Sequence, residues 1–150
     1  MMPRILFVLF LIFIQCKSAQ NTDTNETKAE ERVFLEMTRT RCFGTCPAYE
    51  VRVYTSGKVE YKGEDFVPLK GEKTFNLSEE ELKRIQKELD GLNFFELEDR
   101  YYKDVTDLPT TYISYYTPEK EKKVMDYYGA PAKLKQFEDV LQEIIFSYLE

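Results

Sequence analysis

The chain contains no histidine among its 150 residues. That absence excludes a Ser-His-Asp triad, a Cys-His pair and any His-ligated metal. Tryptophan is absent as well, and cysteine occurs only three times. Two of the thiols, Cys42 and Cys46, lie close together, but without histidine they fall short of the four ligands a zinc site needs. A haem attachment would need His after the second thiol, and Pro47 stands there. No block of Lys and Arg interrupts the sequence, and the formal net charge is −6. Phosphate neutralisation requires a concentrated basic face, so no nucleic-acid partner is expected. No apolar run reaches the ~20 residues of a spanning helix. No cofactor is therefore expected, and no catalytic residue stands out.

What is present suits one globular domain. The chain is 43% hydrophobic and 32% charged, and eleven Tyr and eleven Phe supply a core. The first segment, "MMPRILFVLFLIFIQC", carries Arg4 and then ten apolar residues from Ile5 to Ile14. Ten is the length of the apolar region of a secretory signal. Cys16 follows "FIQ" directly, which resembles the lipobox of bacterial lipoproteins. Gln15 stands where a small residue is usual, as in the looser lipoboxes of the Bacteroidota type. Residues 1–15 are thus read as a lipoprotein signal peptide and Cys16 as the lipidation site. Residues 16–32 are polar and aperiodic and read as a flexible tether, spanning roughly 20 Å end to end. Lys17, where Asp would favour the inner membrane, points by resemblance to the outer membrane. The expected address is exported and lipid-anchored to the cell envelope.

Three thiols are an odd number for an exported chain. If Cys16 is acylated, Cys42 and Cys46 remain as a pair, most simply a disulfide in an oxidising compartment. It would close a five-residue loop worth about 2 kcal/mol, with Gly44 supplying backbone freedom. The competing reading is a redox-active pair. Such pairs usually stand two residues apart at a helix N-terminus, where the dipole lowers a thiol pKa. Here the spacing is one longer and a strand follows.

The single domain is read over 33–150. Val33, Leu35 and Met37 share one face of a first strand. Tyr49, Val51 and Val53, then Val59 and Tyr61, alternate with polar residues about the turn "TSG", which predicts a β-hairpin. "EKTFNL" adds a short strand. Ser78 and Glu81 form a capping box before a helix, Leu77 and Leu82 a hydrophobic staple. Leu82, Ile85, Leu89 and Leu92 form its apolar stripe, and Gly91 is placed to end it. "TTYISYY" and "KKVMDYY" form a second hairpin. A second helix follows with Pro131 at its first position and Leu134, Phe137, Leu141, Ile144 and Tyr148 as its stripe. A strand followed by two hairpin-helix units predicts an α+β fold, a two-layer antiparallel sheet with two helices on one face.

The face left uncovered would carry Arg52, Tyr54, Lys58, Glu60 and one Tyr from each of the doublets 115–116 and 127–128. Arg52, Tyr54 and Glu60 are the candidate binding surface, and its charge and aromatic content suit a glycan or another envelope protein. Asp99, Asp104 and Asp107 share one loop, but their spacing does not match a calcium-binding loop. Hydrolysis by these acids is a third class of reading, with nothing to place two carboxylates together.

Three stretches, "CFGTCPAYEVRVYTSGKVEYKG", "DLPTTYIS" and "DYYGAPAKL", resemble a family of exported bacterial proteins, domain of unknown function 6438. The resemblance covers about residues 33 to 148. It implies no activity, substrate or catalytic residue. The expected role is a non-catalytic binding or accessory module at the cell envelope, the alternative a thiol-disulfide redox protein using Cys42 and Cys46.

Overall fold

The computed structural model describes residues 31–150. The segment read as a signal peptide, Cys16 and most of the expected tether lie outside the described residues. Seven strands form one sheet: β1 (Val33–Arg39), β2 (Ala48–Tyr54), β3 (Lys58–Asp65), β4 (Gly71–Asn76), β5 (Arg100–Tyr101), β6 (Thr111–Tyr116) and β7 (Glu121–Asp126). Their spatial order is β4-β3-β2-β1-β6-β7-β5. All pairs are antiparallel except the two-residue β5, which runs parallel to β7. The helices are α1 (Glu79–Leu92) and α2 (Ala132–Ser147), and a single 3-10 turn covers Phe94–Glu96. This is the expected α+β class.

The alternation of each strand sorts its side chains onto two faces. Leu35 and Met37 of β1 lie opposite Val53 and Val51 of β2 and opposite Tyr115 and Ile113 of β6. With Val59, Tyr61 and Val124 they meet Ile85 and Leu89 of α1 and Leu134, Phe137 and Leu141 of α2 in one hydrophobic cluster. Both helices therefore cover the same face. A register shift between Val33 and Leu35 turns Phe34 into the core, where strict alternation placed Val33. Among the described residues no helix is long and apolar enough to cross a membrane.

The ends of α1 show what local signals decide. Ser78 Oγ accepts from the Glu81 backbone N–H at 3.2 Å, and the Ser78 N–H donates back to the Glu81 carboxylate at 2.8 Å. Both halves of the capping box are present. The helix runs past Gly91, because Leu92 is buried in the core, and Asn93 takes the left-handed cap with φ 50°. Asn is the non-glycine residue that tolerates this conformation best. Pro131 is the N-cap of α2, one position before the expected place. Residues 31 and 32 are held by the β2–β3 turn rather than free in a tether. The Arg32 carbonyl accepts from the Thr55 N–H at 2.9 Å, and Ser56 Oγ donates to Glu31 at 2.6 Å.

Candidate functional site

The uncovered face of the sheet is a two-dimensional array of charges. Strand register places Thr74, Glu60, Arg52, Glu36, Ser114 and Lys123 in one row across β4, β3, β2, β1, β6 and β7. The adjacent row begins Glu72, Lys62, Glu50, Thr38. Opposite charges face each other across neighbouring strands, where side chains lie ~5 Å apart. Arg52 Nε donates to Glu36 at 2.9 Å, and the Tyr116 hydroxyl donates to the other oxygen of Glu36 at 2.9 Å. Lys58 Nζ stands 3.2 Å from Glu60 and 3.8 Å above the Tyr54 ring. The Tyr54 hydroxyl, bonded to Glu60, holds that carboxyl below its ordinary pKa, and the Lys58 ammonium adds to the effect. Glu60 in turn raises the Tyr54 phenol.

Arg52, Tyr54, Lys58 and Glu60 all lie on this face, as their alternation predicts, and they are brought into mutual contact. Over β1 to β4 the face is concave, a groove of about 400 Å³ lined by Glu36, Glu50, Arg52, Glu60, Lys62 and Glu72. Four carboxylates stand there against Arg52, Lys62 and Lys73, and the Lys73 ammonium is turned to the Tyr148 carbonyl, which leaves a small acidic surplus. Of the doublet 115–116, Tyr116 faces the groove side, while Tyr115 packs edge-on against Phe94 on the helix side. The doublet 127–128 does not follow that rule, because β7 ends at Asp126. Tyr127 instead stacks on Tyr102 and donates its hydroxyl to the Val105 carbonyl at 2.6 Å. Tyr128 is exposed.

Cys42 and Cys46 are joined as a disulfide in the loop between β1 and β2, with Cα atoms 5.8 Å apart. Gly44 is not needed for the ring: its φ is outside the left-handed region, and a Cβ there would meet only Cys42 Sγ at 3.7 Å. Neither sulfur belongs to the first turn of a helix, the setting that lowers a thiol pKa. Of the loop acids, Asp99 pairs with Lys122 at 2.9 Å, and Asp104 and Asp107 face solvent. Among the described residues no three His, Cys, Asp or Glu side chains gather as a metal site.

A second polar cluster was invisible in the strand and helix patterns. Asp126 ends β7, Glu138 lies in the second turn of α2, and each is only 1% exposed. Lys135 Nζ bridges them at 2.7 and 3.2 Å, and Thr111 Oγ1 donates to Glu138 at 3.3 Å. Burial pushes the Glu138 carboxyl up to about 7, and the neighbouring Asp126 adds to the rise while Lys135 opposes it. Glu138 falls at the apolar spacing of Leu134, Leu141 and Ile145, which is the one signal that could have found it. Both carboxyls are buried, and the half-exposed Lys135 is their bridge.

No curated protein matches the chain. A family model described as Domain of unknown function (DUF6438) matches residues 33–145, from the first strand to the last turns of α2. The chain belongs to that family.

Proposed function

We propose that the protein is a non-catalytic binding or accessory module of the cell envelope, which receives a polar partner on the open face of its sheet. One observation carries the reading. The face without helices is paved with paired charges and tyrosines and dished into an acidic groove, a surface that folding alone does not demand. Most of its charges are paired across neighbouring strands, so they serve recognition by matching polar groups rather than acid-base chemistry. Glycans and polar protein surfaces offer such groups.

The proposal includes the lipid anchor at Cys16. It rests on the apolar segment that ends at that thiol and on the even pair the other two cysteines form. Cys16→Ser in the full chain is expected to abolish incorporation of labelled lipid and to move the protein from the membrane to the soluble fraction. Membrane retention with labelling intact would remove the anchor from the reading.

The open face is tested with immobilised domain exposed to envelope extract separated into polysaccharide and protein fractions. The triple variant Arg52→Ala, Tyr54→Ala, Glu60→Ala removes the central charges and one ring. Exposed pairs of this kind contribute about 1 kcal/mol or less to stability, so its melting is expected to stay close to the parent's. A retained component that the triple variant loses supports the proposal. Equal retention by both proteins overturns it.

A further inference from the structure

The two rows that cross the open face change character at β1. From β4 inwards one row reads Glu72, Lys62, Glu50 and Thr38, and register continues it through Tyr112 of β6 and Met125 of β7 to Arg100 of β5. The other passes from Thr74 through Glu60, Arg52 and Glu36 to Ser114 and Lys123. On both rows the last carboxylate stands at or before β1. Beyond it the only charges are the cations Lys123 and Arg100, both exposed.

The cations on the two sides are held differently. Arg52, Lys58 and Lys62, on β2 and β3, each pair with a carboxylate. Among the described residues neither Lys123 nor Arg100 does so, and Glu121, one row on, and Asp104, in the loop after β5, pair with neither. Lys123 Nζ lies 5.0 Å from the centre of the Tyr112 ring, and the Arg100 guanidinium 4.5 Å from that of Tyr102. Lys103, next to Tyr102, lies 5.6 Å from the centre of the Tyr128 ring. A ring seats a cation without neutralising it, whereas a carboxylate cancels its charge. The seat of Arg100 is itself fixed. Tyr102 stacks on Tyr127 at 5.5 Å, and Tyr127 donates its hydroxyl to the Val105 carbonyl. Arg100 is thereby presented with little ordering left to do on binding. The hydroxyls of Tyr102, Tyr112 and Tyr128 have no hydrogen-bond partner among the described residues, so each can donate to a ligand or accept from it.

We infer that the β5–β7 side of the open face is an anion subsite, and that the polar partner received there is an acidic glycan, with its uronate carboxylates on Arg100 and Lys123 and its hydroxyls on the tyrosines. The inference rests on the open face being the binding surface, and it names the class of partner. Arg100 and Lys123 stand on adjacent strands two residues out of register, roughly 8 Å apart at the backbone, and lean on different rings. They suit charges repeated along a chain rather than one small anion. A glycan with neutral sugars between acidic ones lays hydroxyls over the paired charges of β1 to β3 and carboxylates over β7 and β5. A nucleic acid matches this pattern less well. It carries a charge on every unit, which the carboxylates of β1 to β3 oppose, and the Tyr102 ring that would stack a base is already engaged by Arg100 and Tyr127. A lipid surface needs apolar side chains to insert, and Met125 is the one aliphatic side chain on the two rows.

The test measures binding of fluorescent hyaluronan oligosaccharides, in which a uronate alternates with a neutral sugar, to the full chain by anisotropy. Neutral chito-oligosaccharides of equal length, a single-stranded oligonucleotide and poly-glutamate are the comparisons. Hyaluronan is expected to bind most tightly of the four. Arg100→Gln with Lys123→Gln is expected to weaken it about tenfold or more, as the loss of charge-assisted hydrogen bonds does. Lys87→Gln with Lys133→Gln removes the same charge from exposed positions at the helices and is expected to leave binding nearly unchanged. Both double variants should melt with the parent, because all four side chains are exposed. Absence of hyaluronan binding, equal binding of the neutral sugar, tighter binding of the oligonucleotide or of poly-glutamate, or indifference to Arg100 and Lys123 overturns the inference. If one of these occurs while envelope extract still yields a component that the Arg52, Tyr54 and Glu60 variant loses, the open-face reading stands and only the acidic glycan falls. If hyaluronan binding depends on Arg100 and Lys123 while that variant and the parent retain the same components, the subsite stands and the reading centred on Arg52 falls.

Discussion

Gly63 shows how much a single position can depend on chain distant from it. It lies in β3 on the helix-facing side, opposite Tyr49. The loop 66–70 folds back over it, so a Cβ there would stand 2.0 Å from the Leu69 carbonyl oxygen and 2.5 Å from the Tyr61 hydroxyl. Those two atoms are bonded to each other at 3.1 Å, so neither can yield without breaking the bond. Gly63→Ala is expected to cost about 3 kcal/mol as overpacking. That lowers the melting temperature by roughly 10 °C, measured by circular dichroism. An unchanged melt would mean that the loop shifts freely and that the Tyr61–Leu69 hydrogen bond does not hold it. "KGED" gives no hint of this, because the nearest obstructing atom, the Leu69 carbonyl oxygen, comes six residues later, after a turn that holds Phe66 at φ 54°. By contrast, Arg52, Tyr54 and Glu60 were placeable from sequence. Their exposure follows from strand alternation, and alternation is local.

At the scale of elements, what was legible was what neighbours in sequence decide. The capping box of α1 lies within four residues and could be read directly. So could the β2–β3 hairpin, because "TSG" supplies a positive φ at Gly57, 86°. The end of α1 was misplaced because the burial of Leu92 outweighs the helix-ending tendency of Gly91. β5 was not foreseen at all. Two residues carry no period, and Arg100 and Tyr101 become a strand only by pairing with Met125 and Asp126. The Tyr127–Tyr128 doublet was assigned to a strand for the complementary reason. Nothing in "VMDYYG" marks where β7 stops. The stop comes from Tyr101, whose carbonyl accepts from both Tyr127 and Tyr128 N–H groups at 3.0 and 3.2 Å and bends the chain out of the ladder.

The whole molecule is built around β1, the central strand, with a hairpin and a helix contributed from each side. The buried polar cluster sits where the second side closes, between β7, β6 and α2. It links folding to pH. Glu138 has a folded pKa of about 7 against an ordinary value of 4.5, so the folded state keeps a proton that the unfolded chain releases. Stability is then highest at or below pH 4.5 for this group, falls as pH rises from there to about 7, and is level above. Ionisation would bury a negative charge on Glu138 beside the Asp126 carboxyl, with Lys135 the bridging cation and Glu138 Oε1 without a hydrogen-bond donor. Arg39 and Tyr49, from β1 and β2, complete the charged and titratable groups of the surroundings. The surface carboxyls with lowered pKa, Glu60, Asp65 and Glu81, act in the opposite sense. They titrate below their ordinary values, so their contribution is complete before pH 5 and leaves the window from 5 to 8 to Glu138. Across that window the native chain is expected to lose roughly 3 kcal/mol or less of unfolding free energy. Glu138→Gln keeps the shape and the Thr111 contact but cannot ionise, so its stability should be flat. Urea melts of both proteins at pH 5, 6, 7 and 8 decide the matter. A parent chain as stable at pH 8 as at pH 5 would show that Lys135 and Arg39 neutralise the buried pair fully, and the slope assigned to Glu138 would be wrong.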